Sequence, residues 1–337
     1  AVSDRTTTWP QATGYGVWTN DSNTLVFNGE LQLSAVSAVA MGTASNRWNY
    51  AANPFPSVMD WHQVTKSNIE ETIYRWDKST ATLSAGSNVA AGTWGTYVQS
   101  TQVSANGGSR YMAPMQGFMV QASSGASSAS LAYPSSARVD QPANYVRQQQ
   151  SADVARASVT HTASGFGLET VLCFVPQASN AYDTDLEARY LSDGFAASQD
   201  LYTKDAQGQT YSIQSLPSLA LNSPTRIPLH LAHTQPGAAY TWNMDLSSLS
   251  SGHASWLEDT RLGTLTPVVS GQPLTFTAQA GDAVDRFHWV FAAQGTAVQA
   301  LESAEKVTAH LTDGRLILRG LRKAPATIQW MDLSGRL

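Results

Sequence analysis

Three acidic side chains alternate along one short segment and could share a cation. Asp183, Asp185 and Glu187 stand two residues apart, so an extended strand would present all three carboxylates on one face. Calcium binds clustered oxygen ligands of this kind. The pattern therefore predicts either a structural calcium site or a solvated acidic strand edge that discourages sheet pairing. The spacing argues against a glycosidase pair, because the acids of such an enzyme face each other across a sugar.

Two histidines and one cysteine offer further metal or thiol chemistry. His230 and His233 invite a metal interpretation. Residues three apart on a strand point to opposite faces, so the alternative is two ordinary histidines near a strand end. The only cysteine, Cys173, lies in the apolar segment VLCFV, which predicts a buried core residue and excludes an internal disulfide. The sequence contains no nucleophile elbow, HExxH, P-loop or dinucleotide fingerprint, and we expect no catalytic residue and no cofactor besides calcium.

Three of the 10 tryptophans could bind carbohydrate. Trp61, Trp76 and Trp94 would form an aromatic platform if they lay side by side, because aromatic faces stack on the C–H surfaces of sugar rings. Most tryptophans of a β-sandwich pack in its core instead. The sequence supports both interpretations.

These residues stand on or beside short segments in which apolar and polar residues alternate, a pattern typical of strands. Turn-forming residues separate the segments, and this favours antiparallel β-sandwiches over a βαβ fold. The predicted strands begin near Trp48 and cover 73–76, 93–98, 117–121, 155–162, 169–175, 209–213, 226–232, 239–245 and 286–291. An Asn-Gly pair predicts a hairpin over 24–33, and only 65–72 hints at a helix.

Length and composition favour an extracellular protein with more than one domain. A chain of 337 residues exceeds what one core usually supports. Charged residues make up 13% of it, which is about half the usual share. The net charge of -5 argues against nucleic-acid binding. No apolar run is long enough to form a transmembrane segment.

The most distinctive stretch is WNYAANPFPSVMDW, residues 48–61. Pro54 and Pro56 lack N–H groups and hold the preceding residues extended, so the strand must leave its sheet at a rigid corner. Asp60 is suited to cap a following turn. We expect three aromatic residues of this corner to be largely buried: Trp48, Phe55 and Trp61.

This stretch resembles the signature GWNLVGNPYPSAIDW of large secreted and surface proteins from Bacteroidetes-type bacteria that use the type IX secretion system. IYRWD at 73–77 and MAPMQGFMV at 112–120 are similar to two further strands of that family, IYxWD and IxPxQGFFV. Later segments match the family's second module in order: 182–188, 201–202, 211–213, 256–259 and 285–287. The resemblance covers nearly the whole chain and implies two β-sandwich modules of jelly-roll or Ig-like type.

The last segment resembles the first half of a type IX C-terminal sorting domain. Three predicted strands, 306–311, 315–319 and 326–332, lead into DLSGRL. Its residues Asp332, Gly335 and Arg336 match the family's DxxGRxV signature. A complete domain of this type is longer, and the chain begins in what resembles the middle of a module. We therefore expect the full protein to extend beyond both ends.

The expected fold class is all-β: an antiparallel β-sandwich at 1–145, a linker at 146–152, a second sandwich at 153–295 and a partial Ig-like sorting domain at 297–337. The resemblance implies a non-enzymatic region of a secreted or cell-surface protein, attached at the outer membrane, that acts as a stalk or adhesin scaffold. Its implied partners in protein transport are the outer-membrane type IX translocon and a shuttle protein. The alternative is the carbohydrate-binding region of a secreted polysaccharide-degrading enzyme, with a glycan as ligand.

Overall fold

The computed structural model describes residues 9–16, 29–44, 46–77, 92–141, 153–192, 199–219, 224–249 and 253–293, and the backbone of 308–312 and 315–319. In this part of the chain the protein is all-β, with several antiparallel sheets and one large curled sheet, and without an α-helix. The expected fold class is confirmed. Two short 3-10 turns, Trp61–Gln63 and Ser135–Ala137, are the exceptions to strand and loop.

The described residues before 142 form β1 (Val36–Met41), β2 (Trp48–Ala52), β3 (Val58–Asp60), β4 (Thr65–Ser67), β5 (Thr72–Asp77), β6 (Thr93–Val98), β7 (Val103–Ala105), β8 (Tyr111–Met112), β9 (Gly117–Gln121), β10 (Ala129–Tyr133) and β11 (Arg138–Val139). Their sheets have the orders β2-β9-β5-β6-β7, β1-β10-β4 and β11-β3-β8. One core joins all three sheets, because it contains Phe118 of the five-stranded sheet, Leu131 of β10 and Met59 of β3. This packing of sheets face to face is a sandwich.

The described residues from 153 to 293 form β12 (Asp153–His161), β13 (Gly167–Phe174), β14 (Ala188–Arg189), β15 (Asp200–Lys204), β16 (Thr210–Leu216), β17 (Thr225–Ala232), β18 (Ala239–Ser248), β19 (His253–Asp259), β20 (Thr264–Pro267), β21 (Leu274–Thr277) and β22 (Phe287–Ala293). They make one sheet in the order β20-β19-β22-β17-β15-β16-β13-β12-β18-β21, with β14 on β16. The sheet curls over its own core, since Leu168, Trp242 and Trp289 come from distant strands and share one cluster.

One strand pairing departs from the antiparallel expectation. β13 and β16 run parallel, with Val171 opposite Ile213. Parallel neighbours need a long crossover between them, and the chain supplies it with the segment that contains β14 and β15. The curled sheet is therefore mixed at this one pair.

Most strand predictions hold, whereas the suggested helix and the described part of the predicted hairpin do not appear. The predicted strands at 93–98 and 117–121 appear with the same bounds as β6 and β9. The suggested helix at 65–72 is wrong, because β4 pairs with β10 there. Residues 17–28 lie outside the described part of the chain, and the rest of the predicted hairpin, 29–33, is not a strand. Its Leu31 and Leu33 are exposed, so the apolar alternation there has no sheet to cover.

The proline-rich corner is held by one buried amide. Asn53 is 2% exposed, and its Nδ2 donates to three carbonyl oxygens, those of Ser57, Met112 and Ala113, at 2.8, 3.2 and 3.0 Å. Its Oδ1 accepts from Phe55 N at 2.9 Å. One side chain therefore satisfies backbone groups that a strand would otherwise have paired.

The corner's expected roles are largely confirmed. Asp60 caps the turn Trp61–Gln63 by accepting from His62 N. Phe55 and Trp61 are fully buried. Trp48 is partly buried on the opposite face of the sheet, where it packs on the cluster shared by the two halves and meets Tyr74 edge-on at 4.9 Å.

The two halves of the chain pack against each other, although no described sheet combines strands from both sides of 142–152. A shared apolar cluster contains Tyr74, Val98, Val103, Ala105 and Met119 from the first half and Val154, Val171, Cys173, Ala188 and Ile213 from the second. Polar contacts surround it. Asn106 donates to Glu169 O at 3.0 Å and accepts from Glu169 N at 2.7 Å, as a paired strand residue would.

The predicted sorting domain at 297–337 and the predicted linker lie wholly or largely outside the described residues. β23 (Thr308–Thr312) and β24 (Arg315–Arg319) form an antiparallel hairpin, as two of the three predicted strands. The third, at 326–332, lies outside the described residues, together with the signature residues Asp332, Gly335 and Arg336. The predicted linker, 146–152, also lies outside them.

Candidate binding cleft

A cleft of about 470 Å³ opens between the two edges of the curled sheet. β20 is one edge strand and β21 is the other, so the cleft lies where the sheet does not close on itself. This volume is within the range of small-molecule sites. The residues that line the cleft are Trp242, Leu257, Asp259, Arg261, Leu262, Thr264, Thr266, Leu274, Thr275, Phe276, Thr277, Gln279, Arg286 and Phe287.

The alternation of β20 explains one wall. Thr264 and Thr266 face the cleft, while Leu265 between them packs on the apolar cluster of Trp256 and Val290 on the other side of the sheet. Pro267 ends the strand. A proline is tolerated here because an edge strand needs no donor on its outer side.

The inner end of the cleft is aromatic. Trp242 is 1% exposed and meets the ring of Phe287 edge-on, with 5.4 Å between centroids. Phe276 stacks on Tyr240 at 5.4 Å. The Trp242 Nε1–H is buried and makes no hydrogen bond to any described residue. This nitrogen is closed off from solvent, so the unpaired donor is a cost of the packing and not a group that the cleft presents to a ligand.

A buried ion pair forms the polar floor. Arg286 is 4% exposed, and it donates through Nε to Asp259 Oδ1 at 2.9 Å and through Nη2 to Asp259 Oδ2 at 2.5 Å. This is the paired, two-point geometry in which arginine binds a carboxylate most strongly. The guanidinium also lies over the rings of Phe276 and Phe287, at 5.1 and 4.8 Å.

A second carboxylate extends this network to the rim. Asp282 Oδ2 accepts from Arg286 Nη1 at 2.9 Å, and its Oδ1 accepts from Arg261 Nη1 at 2.5 Å. Burial alone would raise the pKa of Asp282, but hydrogen bonds from Gln279 N and the two arginines lower it below the ordinary value. Hydrogen bonding to Asp259 raises the pKa of Arg286. Asp282 and Arg286 are therefore charged at neutral pH.

Compared with Arg286, Arg261 keeps more side-chain N–H groups that bond to no described residue. Its side chain is 43% exposed, and its Nη1 contact with Asp282 is the one side-chain hydrogen bond it makes to the described residues. Its backbone N–H donates to Asp259 Oδ1 at 3.0 Å, which fixes the turn that carries it. The cleft thus combines an aromatic interior, threonine hydroxyls and an accessible guanidinium at its rim.

The three predicted platform tryptophans do not come together. Trp61 is buried in the core of the first half, so that member is wrong. Trp76 and Trp94 lie opposite each other on β5 and β6, with ring centroids 5.2 Å apart and planes at 64°. Gly92 packs against the ring of Trp76. The pair is an edge-on contact at the margin of the interface between the halves, since Trp94 packs on the shared apolar cluster.

The acidic trio lies in a turn, so its placement on a strand is wrong. Glu187 is 1% exposed and its two oxygens accept from Asp183 N at 2.9 Å and Ser215 N at 3.0 Å. Asp185 is exposed. Asp183 Oδ2 accepts from Ser179 N at 2.7 Å. These carboxylates serve backbone donors separately, and no group of three metal-ligating side chains forms among the described residues.

The histidines and the cysteine have other surroundings. His230 stacks on Tyr202 with 5.2 Å between centroids. His233 follows the end of β17 and lies 3.7 Å from Asp200. The rings of His230 and His233 therefore contact different residues, Tyr202 and Asp200. Cys173 is fully buried, as expected, and burial raises the pKa of its thiol to about 12.

Sequence reasoning missed the residues of the cleft. Asp259 and Arg286 attracted notice only as parts of segments that resemble a known module. The sequence carried no clear signal, because Asp259 follows Glu258 and Arg286 follows Asp285, so neither residue stands out as a lone charge.

The fold and the cleft together define an all-β protein whose curled sheet leaves an opening of ligand size between its edge strands. Residues 5–291 match a family described as "Domain of unknown function (DUF8693)", and the chain belongs to this family. No curated protein and no solved structure matches the chain. Among the described residues, no helix is both long and apolar enough to cross a membrane.

Proposed function

We propose that the chain is a non-catalytic region of a large protein exported by the type IX secretion system. In this proposal the β-sandwich halves act as a stalk or adhesin scaffold on the cell surface or in the extracellular medium. The segment 297–337 acts as the start of the sorting signal, through Asp332, Gly335 and Arg336. The partners are the outer-membrane translocon and its shuttle protein.

The observation that carries the scaffold role is the interface between the halves. A stalk must transmit force without hinging, and a large apolar contact with matched polar groups resists hinging. Here the shared apolar cluster is flanked by hydrogen bonds that join the halves, such as Thr72 Oγ1 to Glu187 O at 2.9 Å. The motif of residues 48–61 supports the export role by resemblance.

Single-molecule pulling on the whole chain tests the scaffold role. The halves should resist as one unit and open in a single cooperative event before either sheet unravels. Two well-separated events at low force, each with the length of one half, would contradict a rigid stalk.

A reporter fusion tests the export role. The complete C-terminal region should carry a neutral reporter out of a type IX host, and deletion from Val307 onward should abolish export. A matched control deletes an exposed loop elsewhere. Unchanged export after the deletion from Val307 would overturn the assignment as a sorting signal.

The cleft favours a second candidate function, carbohydrate binding. Its mixture of apolar rings, threonine hydroxyls and charged side chains is the chemistry that recognises a polyhydroxylated ring. A glycan array probed with the whole chain tests this function, and an array without any bound glycan would contradict it.

A further inference from the structure

We propose that the cleft binds an acidic saccharide, whose carboxylate or sulfate pairs with Arg261 at the rim. This inference rests on the second proposed function, carbohydrate binding, and names the chemical class of the ligand. The hydrogen bonds inside the cleft show which of its polar groups are already paired and which are open to a ligand.

Most acceptor positions at the floor are already used. Asp259 Oδ1 accepts from Arg286 Nε, from Arg261 N and from Leu262 N, at 2.9, 3.0 and 3.3 Å, and its Oδ2 accepts from Arg286 Nη2. Asp282 Oδ1 accepts from Arg261, and its Oδ2 accepts from Gln279 N and Arg286. A carboxylate can accept about four hydrogen bonds, so these two keep little capacity for a sugar hydroxyl.

The unused donors belong to Arg261. This side chain keeps most of its N–H groups unbonded to the described residues and is 43% exposed. A guanidinium fits a planar or tetrahedral oxyanion better than it fits a single hydroxyl, because it offers two parallel N–H groups. Unused donors therefore outnumber unused carboxylate acceptors, and this favours a ligand rich in acceptors.

The rest of the lining suits the body of a sugar. The exposed Leu262 and the half-buried Phe276 offer apolar surface beside Arg261. Thr266 and Thr275 can both donate and accept through their hydroxyls. An anionic group on a ring of hydroxyl and C–H surfaces therefore matches the cleft better than a bare anion does.

Calorimetric titration of the whole chain tests the proposal with matched probes. The acidic probe is tetragalacturonate, and its methyl ester keeps the rings but removes the charges. A sulfated galactan oligosaccharide distinguishes sulfate from carboxylate, and tetraglutamate presents carboxylates without a sugar. We expect tetragalacturonate or the sulfated oligosaccharide to bind, with at least about tenfold weaker binding of the uncharged ester.

Variants of Arg261 test whether the acidic probe binds at this side chain. Arg261→Gln should weaken binding of the acidic probe by at least about tenfold, and Arg261→Lys by less, because lysine keeps the charge but loses the paired geometry. Arg226→Gln is the matched control. Arg226 is also exposed and paired to one carboxylate, Glu258, at 2.6 Å, but it does not line the cleft. Its loss should leave binding unchanged, and thermal unfolding should show that all three variants fold.

The outcomes separate the two proposals. Equal binding of the ester and the acid, or unchanged binding by Arg261→Gln, overturns the acidic class but leaves carbohydrate binding intact. Equal binding of tetraglutamate overturns the saccharide class. If none of these probes and no glycan on the array binds, carbohydrate binding itself fails and the inference fails with it.

Discussion

The phenol of Tyr182 donates a 2.7 Å hydrogen bond to Glu70, a residue 112 positions earlier and on the other side of the segment 142–152. The guanidinium of Arg189 lies over the Tyr182 ring at 3.8 Å. Burial raises the pKa of Glu70, although the Tyr182 hydroxyl and nearby arginines oppose that rise. One buried carboxylate of the first half thus accepts a hydrogen bond from the second half, and we expect the folding of the two halves to be coupled.

Removing the Tyr182 hydroxyl should weaken this coupling. Tyr182→Phe leaves Glu70 with one donor fewer in a buried site, and we expect a loss of about 1–2 kcal/mol in unfolding free energy. Urea denaturation measures it. Tyr202→Phe is the matched control, since its hydroxyl bonds to no described residue; an equal loss in both variants would argue against the coupling.

The corner of the first half should depend on Asn53. Asn53→Ala removes the amide that serves three carbonyl oxygens and one N–H, and we expect a loss of about 3 kcal/mol because those groups stay buried. Asn243→Ala is the control, as Asn243 is exposed on β18 and its side chain bonds to no described residue. A denaturation midpoint for Asn53→Ala no lower than that of Asn243→Ala would contradict the role of the corner.

The floor of the cleft should be costly to break. Arg286→Gln leaves Asp259 buried without its charged partner, and we expect a loss of about 3–5 kcal/mol. Arg226→Gln removes an exposed arginine paired to Glu258, and should cost no more than about 1 kcal/mol. Thermal and chemical unfolding of both variants compares them, and similar small losses would show that the buried pair contributes little.

Stability should fall as pH rises toward 8. Burial raises the pKa of Glu187 to about 8 from its ordinary 4.5, against the opposing effect of two backbone N–H donors. The folded state therefore keeps a proton that the unfolded state loses between about pH 4.5 and 8, and its stability is greatest below that window. Glu187→Gln should reduce this slope in denaturation series, whereas Asp185→Asn, at an exposed site, should leave it unchanged. An identical slope in Glu187→Gln would exclude this residue as the cause.

The thiol of Cys173 should resist modification while the protein is folded. The residue is fully buried and its pKa is raised to about 12, so almost no reactive thiolate forms at pH 8. Mass spectrometry after iodoacetamide treatment should find an unmodified native chain and a modified chain in denaturant. Rapid labelling of the native protein would show that this core opens readily.

The sequence by itself determined the local features of the fold. β6 and β9 were predicted with their bounds because residue alternation and flanking turns act over a few neighbours. The corner at Pro54 and Pro56 was predicted because proline removes donors wherever it stands. The burial of Cys173 followed from its apolar neighbours in the same strand.

The tertiary structure alone decided the candidate site. Asp259 and Arg286 meet because β19 pairs with β22 in a register that places Asp259 opposite Phe287, and such a register depends on strands far apart in the chain. The alternating acidic residues before Glu187 fit a strand pattern, but the segment is a turn in which Glu187 accepts from the backbone of Asp183 and of the distant Ser215. The cleft exists because β20 and β21 end the sheet without pairing to each other, and no local pattern encodes a pairing that is missing.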